Sequence, residues 1–419
     1  MILAETARRR HRRRTITRIR TVVLLLVVIA TFTGMAPVGA TAADVVRGDL
    51  VRRNVKELSP DERTAFVDAV LALKQAPSPF DARYSYYDQF VVWHVSLYRC
   101  SGQEHDIRAG HGGPFFLPWH RAFVLLFEKA LRDVSHKRIA VPYWDWSDPE
   151  STAVVFADDF MGDNGDPSQG YAVTTGPFRK DSWTLHVRPE MAPWAQSYQP
   201  HLVRKFGSGG ITALPPVADV AWALTAPEYD AAPYDMSVDP NRSFRNALEG
   251  WWRADPAGRR FADPLDHTHC GPDDRVVGSR DAGRLHNQVH SWTGGIVAEP
   301  VGAVGPTIFG TMLMPTSPSD PVFFLHHSNI DRLWAKWQGL HAAATFQPAG
   351  EASTPMQPFA AAGRFFSAES VRSPTGLGYT YSDFTDSDDR LVAPAALSDR
   401  ATPVDNNADA QPLVCRLPT

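Results

Sequence analysis

His286 and His290, in Leu285-His-Asn-Gln-Val-His290, stand one helical turn apart and point the same way, so two imidazoles can share one metal ion. A zinc-protease reading needs a glutamate directly after the first histidine, and Asn287 occupies that place. A di-iron reading needs Glu-x-x-His carboxylate sets on the helices, and this pair has none. An all-imidazole site remains, which suits copper best. Downstream, His326 and His327 open a helical pattern whose apolar positions continue at Ile330, Trp334 and Trp337. That spacing turns His327 towards the buried face, and Asp331, one turn on, is placed to accept a hydrogen bond from a metal-bound imidazole. Upstream, His94 lies in the aromatic stretch Phe90-Val-Val-Trp-His94, His111 in the glycine-flanked loop Gly110-His111-Gly112-Gly113, and His120 nine residues further on. Taken singly, each reads as a core histidine as readily as a ligand. Two trios, on four aromatic-rich helices and one loop, make a two-metal site the expectation. His105, His136, His186, His201, His326 and His341 lack this setting and read as non-ligands.

Helical periodicity must position these side chains, and it appears over residues 60–74, 86–98, 118–134, 242–252, 285–292 and 326–340. Pro118 suits a first helical turn, and His120, Phe123, Phe127 and Leu131 follow along one stripe. Residues 158–169 and 207–216 read as loops. With 419 residues, 43% of them hydrophobic and 21% charged, the chain is long enough to bury a large core. No internal repeat or low-complexity linker divides residues 43–386, which read as one domain, while the weakly apolar residues 387–419 read as a tail or surface strap.

Residues 1–42 have the order of a secretory signal: eight arginines, an apolar run from Val22 to Phe32, then Ala40-Thr41-Ala42. The run is short against the roughly 20 residues a membrane span needs. Arg13-Arg14 also suits a twin-arginine signal. A secreted protein with no stable membrane association is therefore expected. Cleavage takes eight arginines and one glutamate from 42 basic and 46 acidic residues, leaving 34 and 45 and a formal charge of −11. That balance disfavours a nucleic-acid partner. Cys100, Cys270 and Cys415 are too few for a disulfide framework; export permits one bond and leaves one thiol.

His94, His111 and His120, with Phe116-Leu-Pro-Trp-His-Arg121, resemble the first copper-binding region of tyrosinases and related type 3 copper proteins, the bacterial tyrosinases above all. His286, His290 and the motif from Asp320 to Trp334 resemble the second region, and Pro142-Tyr-Trp-Asp-Trp146 and Tyr379-Thr-Tyr381 also fit. The resemblance covers about residues 80–386. It implies a mainly α-helical, tyrosinase-like domain in which a four-helix bundle holds a dicopper centre, with long loops and few short strands. It implies that His327, the second of the adjacent histidines, is the ligand. Two copper ions with O2 as co-substrate, a small phenolic substrate and a copper-delivery chaperone follow from the same likeness. So does the chemistry: hydroxylation of monophenols and oxidation of o-diphenols to o-quinones.

In the family, a water held by a glutamate and an asparagine takes the phenolic proton; Asn287 matches, and the segment from Ser243 to Trp251 makes Glu249 the candidate glutamate. Met314 aligns with the gate over the first copper, and Ala109 stands where some relatives carry a cysteine crosslinked to a ligand. One departure is residues 252–284, an insertion containing Asp266-His-Thr-His-Cys270, which reads as a surface loop or as a copper-capture site through His267, His269 and Cys270. It puts Glu249 at risk of displacement. The leading expectation is an exported tyrosinase. The alternatives are a catechol or aminophenol oxidase without monophenolase activity and a hemocyanin-like oxygen carrier.

Overall fold

Ser59 accepts the N–H of Glu62 while the Glu62 side chain returns to the Ser59 N–H, a reciprocal cap that starts α1 (Pro60–Gln75). Ser85 caps α2 (Tyr86–Ser96) one way, its hydroxyl oxygen accepting the Asp88 N–H. The computed structural model describes residues 50–97, 108–189, 194–262, 269–270, 276–277, 283–298 and 307–384, all within the compact unit Gly48–Thr419. Helix α3 (Phe116–Ser135) begins two residues before the expected start and ends at His136, in the left-handed region at φ 54°. Short helices follow: α4 (Pro149–Val155), α5 (Trp194–Ser197), α6 (Val217–Ala223) and α7 (Phe244–Glu249). The series closes with α8 (Leu285–Gly294) and α9 (Val322–Leu340).

Helix α9 starts a turn before His326 because the Asp320 carboxylate accepts the Val322 N–H at 3.1 Å and its carbonyl accepts that of Phe323 at 3.0 Å. Asp320 is itself fixed by buried Arg204, at 2.7 and 2.8 Å. Helices α2, α3, α8 and α9 form the bundle, and aromatic side chains fill it. Phe127 stacks on Phe324 with a 3.4 Å centroid separation, and Phe90 meets Phe127 edge-on at 5.3 Å. Such ring pairs add about 0.5–1.5 kcal/mol each beyond the area they bury.

Among the described residues the strands are short and come in pairs. β1 (Leu50–Arg52) lies parallel to the last strand, β8 (Tyr379–Tyr381), with Arg52 opposite Tyr381. Between them in sequence are three antiparallel pairs: β2 (Trp252–Ala254) with β3 (Arg260–Ala262), β4 (His269–Cys270) with β5 (Val276–Val277), and β6 (Ile296–Ala298) with β7 (Ile308–Phe309). The mainly helical architecture expected from the sequence is the one observed. No helix among the described residues is long and apolar enough to cross a membrane.

The helical pattern over residues 242–252 yields a helix of only six residues, because Gly250 takes φ 98° and ends it. Its carbonyl then accepts the Arg284 N–H at 2.9 Å. The insertion therefore leaves and rejoins the domain at adjacent points, so Glu249 stays next to the start of α8. A Cβ on residue 250 would collide with the Arg284 carbonyl, so both the backbone angle and the close approach require glycine here. Trp252 anchors the outgoing strand, packing at a tilt against Trp222 with centroids 4.6 Å apart and donating to the Ala247 carbonyl at 2.9 Å. The signal segment 1–42, the tail 387–419, Cys100, Cys415, His267 and the side chains of His269 and Cys270 lie outside the described residues.

Candidate metal centre

The bundle brings all six expected histidines together. His94 comes from α2, His120 from α3, His286 and His290 from α8 and His327 from α9; His111 alone comes from a loop. His94, His111 and His120 each offer a ring nitrogen within 4.8 Å of the other two, and His286, His290, His326 and His327 do the same among themselves. The groups face each other: the His120 ring stacks on His327 at 4.3 Å, and His111 lies 6.4 Å from His286.

Hydrogen bonds fix which nitrogen can bind a cation. The Nδ1–H of His94 donates to the Pro315 carbonyl at 2.7 Å, that of His120 to Phe116 at 2.8 Å and that of His290 to Met312 at 2.7 Å. His286 Nδ1–H donates to Asn287 Oδ1 at 2.9 Å. An imidazole with its proton on Nδ1 presents a lone pair at Nε2. Among the described residues the buried Nε2 atoms of His120 and His286 have no hydrogen-bond partner, a costly condition that a metal ion relieves. His290 Nε2 and His327 Nε2 stand 3.3 Å apart. That is about the separation of two nitrogens each 2.0–2.1 Å from one tetrahedral ion. The residues present fit two metal ions.

Electrostatics agree. Burial holds the His94 imidazole down at about 3 and His290 at about 4, against an ordinary 6.5. His111, His120, His286 and His327 are pushed well below that value, by burial first and then by neighbouring imidazoles. Neutral imidazoles are the form a metal requires.

The sequence reading leaves His326 outside the site, whereas the structure stacks it on His286 at 5.1 Å, within the second group. Its hydrogen bonding is reversed. The Trp146 indole N–H, which can only donate, reaches His326 Nδ1 at 3.0 Å, so the ring proton sits on Nε2 and no lone pair is left there. Two adjacent histidines thus acquire different chemistry from one tryptophan.

Asp331 corrects an expectation. Among the described residues it bonds to no imidazole; Arg52 and Arg121, with the hydroxyls of Tyr379 at 2.5 Å and Tyr381 at 2.6 Å, take its oxygens. Burial alone would raise its pKa, but Arg121 and Arg52 hold it below the ordinary carboxylate value. Arg52 also pairs with buried Glu128 at 3.0 Å, so this hub ties β1, β8, α3 and α9 together behind the histidines. Met314 is 4% exposed and lies between Met312 and Pro315, whose carbonyls hold one histidine of each trio. Those two positions carry no side-chain signal for the role, so the sequence could not mark them. Asn287 sits against His286, and its Nδ2 has no partner among the described residues. Glu249 is fully buried and accepts the Gly112 N–H at 2.6 Å and Arg245 at 3.2 Å.

This fold is mainly helical, and its two facing histidine clusters could each hold a metal ion. The sequence model for the common central domain of tyrosinase matches residues 84–340. A tyrosinase of Streptomyces lincolnensis is 37% identical, the match covering 73% of this chain and 88% of the relative. Grixazone synthase of Streptomyces griseus is 34% identical over 70% of this chain and 85% of its own. A solved polyphenol oxidase mutant from Thermothelomyces thermophila is 27% identical, with a TM-score of 0.42 and coverage of 73% and 74%. The chain belongs to the tyrosinase family, a family of copper enzymes.

Proposed function

We propose that this chain is an exported dicopper phenol oxidase that hydroxylates monophenols to o-diphenols and oxidises o-diphenols to o-quinones with O2. His94, His111 and His120 hold one copper, and His286, His290 and His327 the other. The observation that carries this is the pair of facing trios, with Nδ1 tied to oxygen in four of the six rings. Copper, when bound, supplies dioxygen binding and the redox change, which zinc does not.

The chain's own part is to bind, orient and deprotonate the phenol. A phenol has a pKa near 10 and ionises little at neutral pH. Asn287 Nδ2, without a partner among the described residues, can donate to a water, and Glu249, on the segment that meets the start of α8, is the carboxylate to receive that water's proton. Met314 narrows the approach to the first copper. A second reading, catechol oxidase, is favoured by one observation: Gly112 and Arg245 already engage both Glu249 oxygens. We place the signal in residues 1–42, the catalytic domain with its insertion in 43–386 and the tail in 387–419, and copper delivery by a partner protein.

Oxygen uptake by the copper-loaded protein, with tyrosine and then L-DOPA, tests the reading. Uptake with both supports the full activity, and uptake with L-DOPA alone supports the second reading. A protein holding two coppers that consumes oxygen with neither overturns both. Mass spectrometry of secreted material should find a chain starting near residue 43, and an intact residue 1–42 segment would refute export by cleavage. Changing Arg13 and Arg14 to lysine should block secretion if the twin-arginine route is used.

A further inference from the structure

We propose that Glu249 is the positioning residue for His111, acting as a carboxylate latch on the one metal-site histidine that no helix holds. The proposal rests on the reading of His111 as a copper ligand. Five of the six imidazoles are carried by the bundle helices, whereas His111 lies between Gly110 and Gly112, with Gly113 following. Glycine gives a backbone many conformations, so something else must choose one.

The structure supplies that choice from the segment at residues 228–249. Glu249 Oε1 accepts the N–H of Gly112, the residue directly after His111, at 2.6 Å. The Tyr229 hydroxyl donates to the Pro114 carbonyl at 2.5 Å, fixing the far side of the loop. Gly112 takes φ 71°, and its Cα faces Met236, which an added Cβ would meet at 3.1 Å. Behind the latch runs a buried relay. Arg245 reaches Glu249 at 3.2 Å and Asp230 at 3.0 Å, and Asp230 accepts the Ser243 hydroxyl at 2.6 Å. Asp230, Arg245 and Glu249 are each 0% exposed. Burying three charges is unfavourable unless each is paired and its remaining groups are bonded. Here the outermost carboxylate ends on a backbone N–H of the ligand loop. A carboxylate is suited to this place because both of its oxygens accept, one from Gly112 and one from Arg245. A glutamine presents a single oxygen and sets its amide N–H groups against one of the two donors, so it cannot hold both ends.

The role is separable from proton transfer, since a latch acts without metal or substrate. Hydrogen exchange read by mass spectrometry on the metal-free protein should show the wild-type peptide over residues 108–116 protected. In Glu249→Gln and in Glu249→Asp, which keeps the charge but falls short of Gly112, that peptide should exchange about ten- to a hundredfold faster, as loss of a charge-assisted bond implies. The α3 peptide over residues 123–131 should stay protected, which separates local loosening from unfolding. At limiting free copper, both variants should retain one copper in place of two and show the EPR signal of an isolated Cu(II). If Glu249→Gln unfolds, Glu249→Asp carries the test. Unchanged exchange over residues 108–116 overturns the latch, and so does faster exchange with two coppers still bound as tightly as in wild type. A wild-type chain that binds no copper refutes the underlying metal reading, and the metal-free exchange pattern tells that failure apart.

Discussion

At the scale of single residues, a hydrogen bond on one ring nitrogen decides what the other can do. Asn287 illustrates this: its Oδ1 receives the His286 proton while its Nδ2 stays available, so one side chain serves a ligand and a water. Asn287→Gly should therefore lower copper affinity at the second site about 10–100-fold, the usual effect of losing such an orienting partner, and should depress monophenol hydroxylation more than catechol oxidation. Copper titration and paired oxygen-uptake assays check this; unaltered affinity would mean that His286 needs no fixed tautomer. His290→Ala or His327→Ala should abolish both activities and lose copper, because each removes one of three ligands, and two coppers retained in either variant would refute the assignment. These side chains were legible in the sequence, since histidine, asparagine and their spacing are visible there. The carbonyls of Met312 and Pro315 were not, because every residue has a carbonyl and only the folded chain shows which ones face an imidazole.

Among elements, the long helices were legible from their apolar stripes and the short ones were not. Helix α7 stops where Gly250 meets Arg284, a contact between positions 34 residues apart that no local pattern announces. Gly250→Ala should destabilise the chain by more than the roughly 1 kcal/mol of an ordinary glycine replacement, because backbone strain and a collision act together. Thermal unfolding measures it, and an unchanged melting temperature would mean the backbone at Arg284 moves aside freely. Asp331 was legible as a buried carboxylate with a task, but its partners were misread. It lies on the same helix as His327, yet Arg52 and Arg121 claim its oxygens from β1 and α3. Asp331→Asn should cost about 3–5 kcal/mol by leaving two arginines poorly paired in the interior. Denaturant unfolding reads that loss, and a cost under about 1 kcal/mol would mean water enters to solvate the arginines.

For the whole molecule, the buried imidazoles tie stability to pH. Their folded values lie at about 3 for His94 and about 4 for His290, below the ordinary 6.5. Between those limits the unfolded chain binds protons that the folded chain refuses, so stability rises with pH there and is lost as pH falls from about 6.5. Glu249, raised by burial, works in the opposite sense, but it is one group against several. The melting temperature of the metal-free protein should therefore drop between pH 7 and pH 5, and a flat profile would refute neutral burial. The stretch from Met312 to Pro315 has a different consequence. Its two carbonyls grip His290 and His94 from positions three residues apart, so one short piece of backbone touches both halves of the centre. A shift of α2 against α8 therefore pulls on the same stretch from both sides. Covalent geometry fixes how far apart those two carbonyls can lie, and so bears directly on the spacing of the two rings they hold. Lengthening the stretch by a single residue should detune the gap while each half still takes its ion.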